Sequence, residues 1–305
     1  MRTSKWFLIL TAVMLCLSFS SALAESPLTD VWDSGAALLF GTDNVTLDGE
    51  AMFDLGGEWF KTANLHYVQA GYDSYYELKL ISPKKDGSTR EGGWIIVGNE
   101  KPEYESTQVY LIEAFTPGEY RMGLDGLNDT VLRRSVELDA LMSLGRSMAA
   151  YLEPTLPEGA VTVEEEDGGV KAVRVILSGD QIPDMAQSAL NLAAGFLADR
   201  WFLSEYDRSY TYIGGPFEDY IAPASALAYG TLTWTLKSVD VTFSLDAEGR
   251  LTAVNGSASV ESTFWDKSVR TVDMRFSLTA TDFGASEVAP FSPDDYGVSL
   301  PEYDW

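Results

Sequence analysis

Histidine, cysteine and basic residues are scarce in this chain. It holds one histidine, one cysteine and 21 lysines and arginines against 46 acidic residues in 305 positions. Each shortage closes a class of function. His66 alone cannot build a two-histidine zinc motif or a histidine-rich metal site. A formal charge of −25 opposes nucleic-acid binding, which needs clustered Lys and Arg on phosphates, and opposes adhesion to anionic lipid surfaces. The nucleophile elbow G-x-S-x-G and the glycine loops of dinucleotide and nucleotide binding are missing. What remains is ordinary for a folded protein: 46% hydrophobic and 12% aromatic residues, too apolar for disorder.

The only cysteine, Cys16, falls in a segment that reads as a secretory signal. Arg2 and Lys5 precede an apolar run over 6–19, and Ala22-Leu23-Ala24 supplies small residues for cleavage. The run is shorter than the roughly 20 residues of a spanning helix. The expectation is an exported or cell-envelope protein, cleaved near Ala24, with no transmembrane span in the mature chain. Such a chain has no disulfide, no thiol nucleophile and no thiolate ligand, so burial alone must hold it together. After 1–24 the expected organisation is a lead-in over 25–44, one α+β domain over 45–289 and an extended acidic tail over 290–305.

Period-two alternation dominates the domain. Val45, Leu47, Ala51, Phe53 and Leu55 alternate with Thr46, Asp48, Glu50 and Asp54, the pattern of a half-buried antiparallel strand. Gly56-Gly57 supplies a turn, and further strands are expected over 59–69, 75–81, 94–97, 108–113 and 119–122, with a polar loop over 82–93. Helical spacing then predicts a helix from about 129 to 152. A hairpin over 161–177 follows, crossing an acidic run at 164–167. A second long helix is expected over 180–203, with a wide apolar face including Leu192 and Phe196. The last third returns to strands: 232–245 with a bulge at Lys237-Ser238, a turn at 246–249, then 251–264 and 272–280. In the last of these, Val272, Met274, Phe276, Leu278 and Ala280 alternate with Thr271, Asp273, Arg275, Ser277 and Thr279. The expected class is therefore α+β: a curved antiparallel sheet, half-barrel-like, covered on one face by two long helices.

Catalytic chemistry finds little support. His66 sits at strand parity between Leu65 and Tyr67, the position of an ordinary polar-face residue. Ser82-Pro83-Lys84-Lys85 spells S-x-x-K, but in a loop rather than opening a helix, and no S-D-N follows. Carboxylate pairs could hydrolyse glycosides, yet among 46 acids none stands out. The acidic run lacks the alternating ligand ladder of a calcium loop. No catalytic residue, metal ligand or cofactor is nominated. The candidate ligand-binding residues are aromatic and apolar: Trp59, Tyr67, Tyr76, Trp94, Leu192, Phe196 and Trp234.

Three passages carry a resemblance: the meander from Val45, VILSGDQIPDMAQSALNLAA over 175–194, and the hairpin VTFSLDAEGRLTAVNGSASVE over 241–261. In their order the chain resembles the LolA/RseB/LppX-type half-barrels of exported proteins. It is also similar overall to uncharacterised secreted proteins of anaerobic Gram-positive-type bacteria, which bring no function with them. The half-barrel resemblance implies a sheet and helices enclosing acyl chains or a protein segment. The leading expectation is an exported, non-catalytic binding protein with a hydrophobic or amphipathic ligand, or a partner segment, between sheet and helices. The alternatives are a carbohydrate-binding or acid-pair glycoside-acting protein, and an acidic scaffold for a basic protein partner.

Overall fold

The computed structural model describes residues 26–71, 73–84, 86–101, 104–111, 136–165, 168–188, 191, 231–264 and 267–290. The signal segment and the tail beyond 290 lie outside them, as do the strand expected over 119–122 and most of the helix expected over 180–203.

Ten strands form one curved antiparallel sheet. They are β1 (Asn44–Leu55), β2 (Glu58–Ala70), β3 (Asp73–Pro83), β4 (Thr89–Lys101), β5 (Tyr104–Leu111), β6 (Val161–Glu165), β7 (Lys171–Ser178), β8 (Thr231–Leu245), β9 (Leu251–Phe264) and β10 (Val269–Thr281). Their order is β5-β4-β3-β2-β1-β10-β9-β8-β7-β6. Two five-stranded meanders thus join where the first and last strands pair, Leu47 opposite Ala280 and Ala51 opposite Phe276. β5 and β6 are the two outer strands of the sheet.

Local chemistry fixes the turns. Gly56 and Gly57 take positive φ of 62° and 85°, which the two-residue turn between β1 and β2 requires. At 246–250 the Asp246 amide donates to the Arg250 carbonyl and Gly249 takes φ of 76°. The bulge expected at Lys237-Ser238 is present as a register shift between Leu236 and Ser238. The polar loop expected over 82–93 is shorter. β3 runs through Pro83, β4 starts at Thr89, and the tight turn between them is held by Lys84 and Ser88. Longer strands win there because Ser82–Arg90 and Ile81–Glu91 still pair across the hairpin.

One face of the sheet is the core. Leu47, Leu65, Tyr67, Tyr76, Leu78, Val175, Val241, Phe243, Val254 and Leu278 are buried in a single cluster. A cover of two long helices is not shown, since most of the second lies outside the described residues. A ten-residue helix, α1 (Pro27–Ala36), built from the segment read as a lead-in, lies against β7, β8 and β9 and sends Leu28 and Val31 into the core. Ser26 caps it in a reciprocal pair with Thr29, and Pro27 occupies its first turn. The longer α2 (Val136–Leu152) packs on α1. Its Gly145 faces the Trp32 ring, which occupies the space a Cβ would take. Arg146 Nε donates to both Asp33 oxygens at 3.1 and 2.9 Å. A ten-residue helix suffices to start the second layer because its buried face is continuous with the strand hydrophobics. Among the described residues no helix is long and apolar enough to cross a membrane.

Candidate functional site: a polar groove across the sheet

Over its central strands the face opposite the core is mostly polar, and cross-strand register arranges its side chains in rows; towards β4 the same face carries a small apolar cluster, with Ile95 and Val97 buried beside Tyr75. One row runs Lys79, Asn64, Glu50, Ser277, Asn255, Thr242 and Arg174 through seven neighbouring strands, β3 to β7. An open groove of about 460 Å³ lies over one half, lined by Asp48, Glu50, Asn64, His66, Glu77, Lys79 and Ser277 among others. A second, of about 520 Å³, covers the other half with Arg174, Asp240, Thr242, Asn255 and Arg275. Both include Glu50 and Ser277, which face each other across β1 and β10. The two grooves are therefore continuous.

Charges at the ends of the groove are matched. Lys79 Nζ meets Glu91 at 2.7 Å. Arg174 donates to Asp240 from Nε and Nη2 at 2.9 and 2.7 Å, and this guanidinium holds the Asp240 carboxyl below the usual carboxylate range. Arg275 reaches Asp54 at 3.2 Å. His66 Nδ1 and Asp48 Oδ1 are 2.7 Å apart. A carboxylate at that distance accepts the Nδ1 proton and turns Nε2 outward. The Tyr75 ring stands 5.9 Å from the imidazole, and its hydroxyl donates to Glu77 at 2.8 Å. The middle of the row differs. Asn64, Glu50, Ser277, Asn255 and Thr242 have no side-chain hydrogen bond or ion pair among the described residues.

The nominated aromatics that the structure describes are divided between the two faces of the sheet. Tyr67 and Tyr76 are direct partners on β2 and β3, but both belong to the core, 3% and 4% exposed. The Tyr67 hydroxyl donates to buried Gln69 at 2.9 Å, and burial pushes the Tyr76 phenol well above its ordinary range. Trp59 pairs with Asp54, so it lies on the opposite, polar face, where its Nε1 donates to Thr62 at 3.1 Å. The reason is a register shift between Phe53 and Asp54, which puts Trp59 and Lys61 on different faces. Lys61 instead ends the core face, 7% exposed, its ammonium pushed below the usual lysine range by burial. Trp234 is half-buried against the core. Trp94 lies in β4, with its side chain outside the described residues, as are Leu192 and Phe196.

His66 is on the polar face, as its parity requires, with Asp48 as its partner. Ser82 borders a hairpin turn, not a helix start, and Lys85, the lysine of the S-x-x-K spelling, lies outside the described residues. No group of three or more His, Cys, Asp or Glu able to hold a metal occurs among the described residues.

No family model matches the chain, and no curated protein matches it. Among solved structures it is similar to an N-terminal dehydratase from the difficidin assembly line, at 11% identity, covering 83% of this chain and 82% of that one with a TM-score of 0.13. A conserved hypothetical protein from Mycobacterium tuberculosis with a double hotdog fold matches at 15% identity, 88% and 86% coverage and a TM-score of 0.14. A bifunctional dehydratase-cyclase domain in ambruticin biosynthesis matches at 13% identity, 88% and 87% coverage and a TM-score of 0.13. At such TM-scores these likenesses carry no chemistry to this chain. The half-barrel resemblance is corrected: no family model or curated protein bears it out, and the solved structures found are described as dehydratase and double-hotdog proteins, not LolA/RseB/LppX-type carriers. The hairpin passages that suggested it are what any antiparallel sheet contains.

Proposed function

We propose that the protein is an exported binding protein that holds a polar ligand on the open face of its sheet, along the groove centred on Glu50 and Ser277. One observation supports this reading above others. Five side chains able to donate or accept hydrogen bonds stand in line across five strands with no side-chain partner among the described residues. A solvated sheet face ordinarily interleaves opposite charges across strands. Here such pairs close both ends of the row and leave the middle free. The wild-type protein and a Ser277→Trp variant, titrated with panels of glycans and peptides, test the reading. Ser277 is exposed, so the variant keeps its fold while the indole fills the junction of the two grooves. Loss of binding is expected, and equal binding by both proteins overturns it.

The hydrophobic-ligand reading retains one supporting observation. The helical residues 184–188 and 191 dock beside half-buried Trp234, the end of the core face where such a ligand would enter. Uptake of a fluorescent fatty acid that Trp234→Ala abolishes supports it; no uptake removes it.

A further inference from the structure

We infer that the ligand of the polar groove is a linear amino-sugar oligosaccharide, one of whose free amines sits on Glu50. The inference rests on the binding reading above and names its chemistry. Along the groove, Asp48 is engaged by His66 at 2.7 Å, Lys79 by Glu91 at 2.7 Å, Arg174 by Asp240 at 2.7 Å and Arg275 by Asp54 at 3.2 Å. Of the carboxylates lining the groove, Glu50 alone has no hydrogen-bond or ion-pair partner among the described residues, and it stands where the two halves of the groove meet. A ligand ammonium there makes a charge-assisted hydrogen bond, the stronger kind, within the field of a chain of charge −25.

The neighbours of Glu50 determine the rest of the ligand. Asn64 and Ser277 flank it directly, with Asn255 and Thr242 beyond. All are neutral amides or hydroxyls, suited to ring hydroxyls. An extended peptide is recognised differently, by strand addition at a sheet edge or by pockets for alternate side chains. This groove lies on the face of central strands instead. Adjacent rungs are about 4.8 Å apart, close to the repeat of one pyranose in a linear chain. The five free rungs span roughly 19 Å, room for about four sugar units.

Calorimetric titration of the secreted-length chain with a β-1,4-linked glucosamine hexamer, its N-acetylated counterpart, a neutral glucose hexamer and a lysine-containing peptide tests the inference. Wild type should prefer the amine-bearing hexamer to its acetylated form by about tenfold or more. Glu50→Gln, exposed and nearly isosteric, should erase that preference, and Asn255→Ala should weaken both glycans. Preference unchanged in Glu50→Gln overturns the amine assignment, as does equal binding of the acetylated or neutral hexamer. Tighter binding of the peptide overturns the glycan. In those cases sensitivity to Asn255→Ala leaves the binding face standing. If no probe binds, or binding ignores both substitutions, the inference and the groove reading fall together.

Discussion

The side chain of Asn191 pairs with both backbone groups of Trp234: its Nδ2 donates to the carbonyl at 2.9 Å and its Oδ1 accepts the amide at 2.8 Å. One helical turn earlier, Gln187 donates to the same carbonyl and accepts the Leu236 amide at 2.7 Å. β7 stops at Ser178, opposite Ser238, so β8 would otherwise present bare backbone at 234–236. An Asn and a Gln on one helix face take the place of the missing strand.

Asn191→Leu should therefore leave the Trp234 amide unsatisfied and cost about 1–3 kcal/mol. Urea unfolding would show a lower midpoint at unchanged slope. Stability equal to wild type would mean that the helix docks by packing alone.

Gly145→Ala puts a methyl into the Trp32 ring. The expected cost of overpacking is about 1–3 kcal/mol, with a change in tryptophan emission. Trp32→Leu should relieve much of it, so the double variant is more stable than the sum of the single effects. Strict additivity would contradict the contact.

Asp240 gives a pH signature. Its folded carboxyl titrates below the unfolded one because Arg174 hydrogen-bonds it. That stabilisation is present above the unfolded value near pH 4 and is lost as pH falls through the folded value. Asp240→Asn should be slightly less stable at pH 7, and the difference should vanish towards pH 2. A difference independent of pH would remove the electrostatic account. The pair is exposed, so the effect is small.

Lys61 behaves oppositely. Burial lowers its folded value, so wild-type stability should gain as pH rises through that value towards the unfolded one near 10.4. Lys61→Met should lack this gain, as chemical unfolding between pH 7 and 10.5 can show. Parallel pH profiles would contradict a buried, depressed ammonium.

Much of the sheet was legible because alternation is a local property. Val272, Met274, Phe276, Leu278 and Ala280 fell on the core side and Arg275, Ser277 and Thr279 on the other, as their parity demanded. The site was less legible, although Glu50 and Ser277 were both visible as polar-face residues. Their meeting depends on β1 pairing with β10, a contact between the two ends of the domain that no local pattern encodes. Among the nominated aromatics, Tyr67 and Tyr76 are large and carry a polar group, as ligand platforms do, but both are buried in the core. Trp59 changed faces through a register shift that one extra residue produces. α1 escaped notice although Leu28, Val31 and Gly35 recur at helical spacing, because a ten-residue helix offers so few repeats of the pattern.

The central claim is that ligand lies on the polar face. The most direct measurement follows side-chain amide resonances by NMR while the glucosamine hexamer is added. The NH₂ signals of Asn64 and Asn255 should shift together and saturate at one stoichiometry, while those of Asn191 and Gln69, which are engaged in the helix dock and the core, stay in place. Saturable shifts at Asn191 or Gln69 with Asn64 and Asn255 unmoved would place binding on the core side and contradict the account.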